Sequence, residues 1–227
     1  PELVCPAGTP AALRAAVEAG ADAVYCGLRN ATNARNFPGL NFSPIELGEA
    51  VDFAHQRHVR VFLAVNTFPP AGLFDLWRNA VDVGRRAGVD AVVVADIGVA
   101  DYAAATYPDL RLHLSVQAGA ASVEAVRFYC EAFSIRRVVL PRLLTVDEIG
   151  ALCAAIPCEA EVFVFGNIGM MAEGRCSLTS YVTGVSTNMD GVCSPSCAVR
   201  FENADESSVA ARVGPFMQSP LRDALGL

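Results

Sequence analysis

The chain has 227 residues, of which 53% are hydrophobic and 18% charged, and this length and composition indicate a globular protein with one large core rather than a disordered one. Its 17 basic and 24 acidic side chains leave a net charge of -7, which argues against a broad surface for nucleic acid or anionic membrane. All 17 basic residues are arginine, so the composition excludes mechanisms that depend on a lysine base, a lysine Schiff base or a phosphate-binding lysine.

Seven short apolar runs, separated by segments of helical period, predict a repeated strand–helix pattern. These runs lack polar alternation, which is typical of parallel strands that are buried on both faces. Several intervening helices begin with capping signals, such as Ser43-Pro44 and Thr145 before Glu148. We therefore predict an α/β fold that resembles a TIM barrel, with about seven βα units, one short of a closed barrel. The runs lie at 2–5, 22–26, 59–65, 90–95, 111–116, 136–140 and 159–165.

The predicted domain organisation follows from where this pattern stops. Residues 1–200 are expected to form one barrel-like α/β domain, which carries a cysteine-bearing segment at 166–200. Residues 201–227 form a polar, weakly amphipathic tail without a convincing eighth strand, so we expect the barrel to be incomplete in this chain. A doubly wound sheet is the competing architecture, but no G-x-G-x-x-G motif follows any strand. With no apolar run long enough to span a membrane, we expect a cytoplasmic protein.

Polar side chains at the predicted strand ends mark the candidate binding site. In a barrel these positions share one mouth, where chemistry is expected. The long loop at 28–43 adds arginine and asparagine side chains, and guanidinium groups bind carboxylates bidentately. A small anionic substrate suits this set, although the same residues are also typical of turns and helix caps. The predicted substrate-binding residues are Arg35, Asn36, Asn41, Asn66, Gln117 and Arg142.

Sequence motifs for conventional hydrolysis are absent. The histidines show no H-E-x-x-H spacing, and no G-x-S-x-G elbow is present. His113 lies inside a predicted strand, a position that favours a core residue over a general base. The pattern assigns no catalytic residue.

Three cysteines near the end of the chain are candidate metal ligands. Cys176, Cys193 and Cys197 are grouped among glycines and serines in a loop-rich segment. Thiolates grouped in this way suit zinc or an iron-sulfur cluster. The alternative is three buried, reduced thiols.

An ordered set of motifs, from residue 2 to about residue 200, resembles the ubiquinone-biosynthesis branch of the collagenase-like peptidase family U32. The resemblance implies a barrel-like α/β domain, a [4Fe-4S] cluster on four cysteines and a heterodimer with a related family member. It also implies oxygen-independent hydroxylation of a ubiquinone precursor, with prephenate as the oxygen donor. Other members hydroxylate transfer or ribosomal RNA, and others are described as proteases. The motifs are "ELVCPAG", "GADAVYCGL", "TNARNFPGLNFS", "VNTF", "LSVQA", "RVVLPR", "AEGRCSLTSYVTG" and "GVCSP".

The ligand motif of this family fits only in part. It matches Cys176 and Cys193, but Gly169 stands where the family has a cysteine, and glycine has no side chain to bind iron. Cys197 is absent from the family pattern and is predicted to replace one ligand. We therefore expect a cluster that is labile or incomplete. Candidates for a fourth ligand are Cys5 and Cys26, or a water molecule or the substrate at an open iron site.

Several functions remain open from the sequence. The resemblance favours a subunit of an oxygen-independent hydroxylase. The alternatives are a collagenase-like peptidase, a non-catalytic barrel that binds a partner, and an RNA hydroxylation protein, the last disfavoured by the acidic charge balance.

Overall fold

The computed structural model describes residues 1–166 and 171–193, together with the backbone of residues 167–168 and 217–218. Its centre is one curled sheet of seven parallel strands in sequential order, which confirms the predicted TIM-barrel-like α/β fold. The strands are β1 (Val4–Pro6), β2 (Ala23–Gly27), β3 (Arg60–Val65), β4 (Ala91–Val94), β5 (Leu112–Leu114), β6 (Arg137–Val139) and β7 (Glu159–Glu161).

Six helices connect consecutive strands. They are α1 (Pro10–Glu18), α2 (Pro44–His55), α3 (Asp75–Ala87), α4 (Ile97–Thr106), α5 (Val123–Phe133) and α6 (Val146–Ala155). Capping boxes start α2 at Ser43 and α6 at Thr145, as predicted from the sequence. None of the helices within the described part of the chain is long and apolar enough to cross a membrane.

The structure corrects some predicted boundaries. The run predicted as a strand at 159–165 is a strand only as far as Glu161. Part of the cysteine-bearing segment, predicted to be loop-rich, forms two short helices, α7 (Leu178–Thr183) and α8 (Thr187–Asp190). A two-residue antiparallel pair joins β8 (Asn167–Ile168) to β9 (Met217–Gln218). The predicted domain boundary at residue 200 lies outside the described residues.

Successive residues of each strand face opposite sides of the sheet, and this alternation divides the core in two. Side chains such as Val24, Leu63 and Val92 belong to the large cluster between the sheet and the helices. Their neighbours Phe62 and Val93 belong to a separate cluster inside the curl. The interior is thus built from alternate strand residues, as in a barrel.

Charged side chains fill the interior at the amino ends of the strands. Arg137 on β6 is almost fully buried and binds the carboxylates of Glu2, Glu159 and Glu161. The Glu2 carboxylate also pairs with Arg60 of β3. These contacts cross the interior from one edge of the sheet to the other. Electrostatic pairing therefore supports the curl of a sheet that has seven strands within the described residues and is not closed by an eighth.

Candidate functional site

A cavity of about 250 Å³ opens at the carboxyl ends of the strands. Five of the six predicted substrate-binding residues line it. They are Arg35, Asn41, Asn66, Gln117 and Arg142. The rest of the wall is largely apolar and aromatic, with Tyr25, Phe37, Phe62 and Phe163 contributing rings. An apolar cavity with a few convergent polar groups is typical of a small-molecule site.

The sixth predicted residue, Asn36, does not line the cavity. Its side-chain amide donates to the backbone oxygen of Asp190, and its backbone N–H donates to the oxygen of Gly191 at 2.9 Å. Asn36 therefore joins the loop at 28–43 to the cysteine-bearing segment. The expectation that it contacts substrate rested on its neighbours in sequence, and the structure gives it a connecting role.

The loop at 28–43 is an ordered wall rather than a solvated surface loop. Thr32, Asn33 and Asn41 are buried within it. The loop lies close to β2, because a Cβ atom added to Gly27 would be only 2.2 Å from the Asn33 side chain. Glycine at the end of β2 is therefore what allows the loop to cover the cavity.

The side-chain amides of the asparagines at the mouth form hydrogen bonds with other groups of the protein. Asn41 accepts a hydrogen bond from Asn33 at 2.8 Å and donates one to the backbone oxygen of Arg35 at 2.8 Å. Asn66 accepts from the Ala34 N–H at 3.0 Å and donates to the Ser115 hydroxyl at 3.1 Å. These side chains shape the cavity. The alternative that they stabilise turns therefore describes Asn41 and Asn66 better than direct contact with a ligand.

Arg142 is the best-placed cation in the cavity. Its guanidinium lies 3.5 Å from the centre of the Phe163 ring and pairs with the Glu173 carboxylate. Its Nε atom is buried without a hydrogen-bond partner among the described residues. A buried donor of this kind favours binding of an acceptor group. Arg35 is exposed and contacts its own backbone neighbour through a 2.9 Å bond to the oxygen of Ala34.

Two titratable groups that were not among the predicted residues, Tyr25 and Glu161, also line the cavity. Burial raises the pKa of Tyr25, while the charges of Arg35 and Arg142 oppose this shift. Burial also raises the pKa of Glu161, although Arg137 opposes it. Both side chains point inward because of strand alternation, and an acidic residue inside a predicted apolar strand was the available signal for Glu161.

The cysteine-bearing segment at 171–193 docks across this mouth through backbone contacts. A Cβ added to Gly174 would lie 1.9 Å from the Gln117 backbone oxygen, and one added to Gly191 would lie 1.9 Å from the Asn33 oxygen. The Phe68 N–H donates to the Asn188 oxygen at 2.9 Å. Asn188 in turn donates its amide to the Cys176 oxygen at 3.1 Å. The segment is therefore fitted to the cavity residues at close range.

Two of the predicted metal ligands, Cys176 and Cys193, lie on this docked segment and are half-buried. Cys197 and Gly169 fall outside the described residues. Within the described ranges no group of three or more histidine, cysteine or acidic side chains has metal-binding geometry. The described residues thus supply two thiols of the proposed ligand set.

The candidate fourth ligands lie on the first two strands. Cys5 and Cys26 both pack against the layer between the sheet and the helices, and Cys26 also contributes to the lining of the cavity. Burial raises the pKa of the free Cys26 thiol to about 12. A metal ion lowers the pKa of a thiol that it binds, so the role of Cys5 or Cys26 as a fourth ligand stays a prediction.

The sequence of the chain matches a protein-family model. The model described as peptidase family U32 matches residues 8–221, which is most of the chain. The chain belongs to peptidase family U32. This agrees with the family resemblance seen in the motifs, while the relatives below do not single out its ubiquinone-biosynthesis branch.

Relatives within U32 carry names of two kinds. A protein named uncharacterized protease in Methanocaldococcus jannaschii is 33% identical over 90% of this chain and 50% of its own length. The tRNA hydroxylation protein P of Escherichia coli is 33% identical over 87% of this chain and 43% of its own length. The chain thus spans about half the length of the curated relatives that it matches.

A solved U32 structure shares the fold. The U32 peptidase Mk0906 superposes with a TM-score of 0.62 at 18% sequence identity, covering 73% of this chain and 69% of that protein. At this identity the similarity supports the curled βα architecture alone.

The peptidase name of U32 finds little support in the cavity as the structure describes it. None of the three histidines lines the cavity. His55 pairs with Asp90 on the outside, at 2.8 Å. His113 faces the charged interior, where burial lowers its pKa to about 3, and the positive charges of Arg137 and Arg111 add to this. No histidine in this arrangement is placed to activate a nucleophile in the cavity.

Proposed function

We propose that this U32 protein is UbiU-like and takes part in oxygen-independent hydroxylation of a ubiquinone precursor. In this proposal prephenate is the oxygen donor, a UbiV-like protein is the partner in a heterodimer, and a [4Fe-4S] cluster is the cofactor. One observation carries it. The ion pair between Glu173 and the cavity residue Arg142 places the E-G-R-C motif, and with it Cys176, at the edge of the cavity.

The cavity suits a small ring-containing dianion. Aromatic rings of Phe62, Phe163 and Tyr25 provide flat apolar walls, and Arg142 provides a charge with one unpaired buried donor. Prephenate has a ring and two carboxylates, and a guanidinium forms paired, charge-assisted bonds with a carboxylate. In the absence of ligand, Glu173 supplies the carboxylate that neutralises Arg142. A bound donor acid is expected to compete with Glu173 or to use the remaining Nε donor.

The residues proposed to hold the cluster are Cys176, Cys193 and Cys197. The fit of the described part is partial, because only two of these three thiols lie within the described residues. Both are half-buried and lie on a segment that docks directly on the cavity. An iron-sulfur cluster supplies one-electron redox chemistry at such a site. The protein's own contribution is to hold the donor acid at Arg142 and to exclude water by closing the segment over the aromatic walls.

A second candidate is hydroxylation of RNA, which the name of the Escherichia coli relative favours. The net charge of -7 weighs against it, since RNA binding requires positive surface. The two candidates differ in product: after anaerobic incubation with prephenate and a reconstituted partner, one oxygen atom is added either to a quinone precursor or to tRNA. Mass analysis of both pools identifies the substrate.

The first prediction concerns the donor acid. Arg142→Gln is expected to weaken prephenate binding about tenfold or more, because one charge-assisted pair contributes about 1.5–3 kcal/mol. Arg35→Gln should weaken it less, since that guanidinium is exposed. Isothermal titration of the folded chain measures both. The matched control is Arg78→Gln on the outer face of α3, where the arginine pairs with Asp75.

Glu173→Gln is a second variant, which shows whether a change in prephenate affinity comes from the binding site or from a folding defect. Removing the competing carboxylate leaves Arg142 intact, so affinity for prephenate should stay equal or rise. Equal affinity in the native chain and in Arg142→Gln would remove Arg142 from the donor site. Weaker binding in Glu173→Gln would show that this carboxylate assists the ligand rather than competing with it.

The second prediction concerns the cluster. Anaerobic reconstitution should give a brown protein whose iron and sulfide content falls in Cys176→Ser, Cys193→Ser and Cys197→Ser, because each is proposed to ligate iron. The control is Cys153→Ser, whose thiol is exposed on α6 and does not line the cavity. With Gly169 at a family ligand position, the absorption should fade within minutes to hours in air. Full iron content with Cys197→Ser would exclude Cys197, and an air-stable cluster would contradict the expected lability.

A further inference from the structure

Glu161 lies between the cavity and the charged side chains at the amino ends of the strands. Two positions before it on β7, Glu159 belongs to those charged side chains and pairs with Arg137 at 2.6 Å. Two positions after it, the ring centre of Phe163 lies 3.5 Å from the Arg142 guanidinium. Side chains two positions apart in an extended chain share one face, so all three face the interior. Glu161, the middle one, lines the cavity.

The Glu161 carboxylate is only partly used as a partner of Arg137. The Arg137 guanidinium lies 2.6 Å from both Glu2 and Glu159, but 3.2 Å from Oε2 of Glu161. Within the part of the chain that the structure describes, the other oxygen, Oε1, takes part in no hydrogen bond. The side chain is 20% exposed, so a molecule in the cavity can reach it. Arg137 therefore holds one oxygen of this carboxylate and leaves the other as an acceptor.

The charged network around Glu161 is balanced among the described residues, because its ion pairs join three carboxylates to three guanidinium groups. A ligand hydroxyl that donates to Glu161 leaves this balance unchanged. A ligand ammonium would bring a further positive charge close to Arg137, which is unfavourable inside a protein. The network therefore favours a neutral donor. Its members are Glu2, Glu159, Glu161, Arg60, Arg111 and Arg137.

We propose that Glu161 is a specificity-determining residue, which accepts a hydrogen bond from a ring hydroxyl of the ligand whose carboxylate binds Arg142. Both residues line the same cavity, and the wall around them is largely apolar, with the rings of Phe62 and Phe163. A ligand that satisfies both has a carboxylate at one end, a ring, and a hydroxyl at the other end. The proposal rests on the proposed function in one respect, namely that a carboxylate binds at Arg142.

The ligand class is therefore a hydroxylated ring acid. Prephenate belongs to this class, because its ring carries a hydroxyl opposite the carbon that bears both acidic substituents. An acid of the same shape without the hydroxyl would displace water from Glu161 and give this carboxylate no donor in return. Leaving a buried acceptor unpaired costs affinity, and a site built around a hydroxyl rejects analogues that lack it. Glu161 is thus expected to select among ring acids that Arg142 alone would accept.

The test compares two stable probes that differ only in the hydroxyl, phenylpropanoate and para-hydroxyphenylpropanoate. Isothermal titration measures the affinity of the folded chain for each. We expect the native chain to bind the hydroxylated probe about tenfold more tightly. In Glu161→Gln this ratio should fall to about threefold, because the amide oxygen accepts but carries no charge, and in Glu161→Leu to about one. Each ratio is taken within one variant, so a smaller folded fraction does not change it.

Two further variants assign the hydroxyl contact. Glu131→Leu, at an exposed position of α5, is the matched control and should keep the native ratio. Tyr25→Phe removes the phenolic hydroxyl that lines the cavity and should keep the ratio as well. A ratio that is lost in Tyr25→Phe but kept in Glu161→Leu would assign the contact to Tyr25 and refute the proposal.

The native chain alone separates this proposal from the proposed function. Binding of both probes with a ratio near one would overturn the role of Glu161 and leave the carboxylate site at Arg142 standing. Failure of the native chain to bind either probe would remove that carboxylate site, and with it the basis of both proposals.

Discussion

Arg137→Met should lower the free energy of unfolding by about 3 kcal/mol, because it leaves a group of carboxylates inside the barrel without their shared cation. The Arg137 side chain is only 6% exposed and lies 2.6 Å from Glu2 and from Glu159. Its contact with Glu161 is longer, at 3.2 Å. Methionine keeps much of the volume and removes the charge, so urea denaturation measures the electrostatic loss directly.

A surface arginine provides the control for this prediction. Arg85 pairs with Asp109 at 2.7 Å, but both side chains are largely exposed. Arg85→Met should therefore cost less than about 1 kcal/mol. Adding Glu161→Gln to Arg137→Met should recover part of the loss, because it removes a buried charge that has lost its partner. Equal stability of Arg137→Met and the native chain would show that the interior network does not support the fold.

The free energy of unfolding measured at acidic pH gives a second test of the same variant. Burial acts to raise the pKa of Glu159, but Arg111 and Arg137 outweigh it and hold the pKa at about 2. Since the ordinary value is 4.5, this carboxylate stabilises the folded state above pH 4.5 and loses its contribution as the pH falls towards 2. In Arg137→Met this loss should be smaller, so the curve between these pH values should flatten.

The fold was predictable because each strand is a short apolar run between capped helices. All seven runs form strands, and the capping boxes at Ser43 and Thr145 are present. Of the six helices that connect the strands, α4 has the least distinct helical period in its sequence. Its sequence, IGVADYAAAT, is apolar around most of its circumference and has no clear polar face for a helical period to mark.

The site was predictable only where it depends on strand ends. The rule that carboxyl ends of parallel strands share one mouth selected Asn66, Gln117 and Arg142, and all three line the cavity, while their contact with substrate stays a prediction. The inward direction of Tyr25 could not be derived, because both faces of a buried parallel strand are apolar and the alternation is hidden. The pairing of Arg142 with Glu173 joins residues from separate parts of the chain. No local pattern encodes such a contact.

Gly174→Ala is expected to undock the cysteine-bearing segment from the cavity. Gly174 has φ +71°, and an added Cβ would lie 1.9 Å from the Gln117 backbone oxygen. Backbone atoms cannot swing aside as a side chain does, so the segment must move. We expect trypsin to cleave after Arg175 about tenfold faster, which corresponds to about 1.4 kcal/mol easier opening, and prephenate affinity to change with the loss of the Glu173 contact.

Gly184→Ala is the matched control, because it separates backbone strain from the clash. Gly184 has nearly the same φ, +74°, but nothing lies within 4 Å of an added Cβ. Both variants carry the cost of a left-handed alanine, about 1–2 kcal/mol, but Gly174→Ala alone meets the Gln117 oxygen. Cleavage after Arg175 should therefore rise clearly less in Gly184→Ala than in Gly174→Ala. Equal cleavage in the two variants would mean that the close approach of Gly174 to Gln117 does not hold the segment on the barrel. In that case the link between the cysteines and the cavity would rest on the Glu173–Arg142 pair and on the contacts that Asn188 and Gly191 make with the barrel.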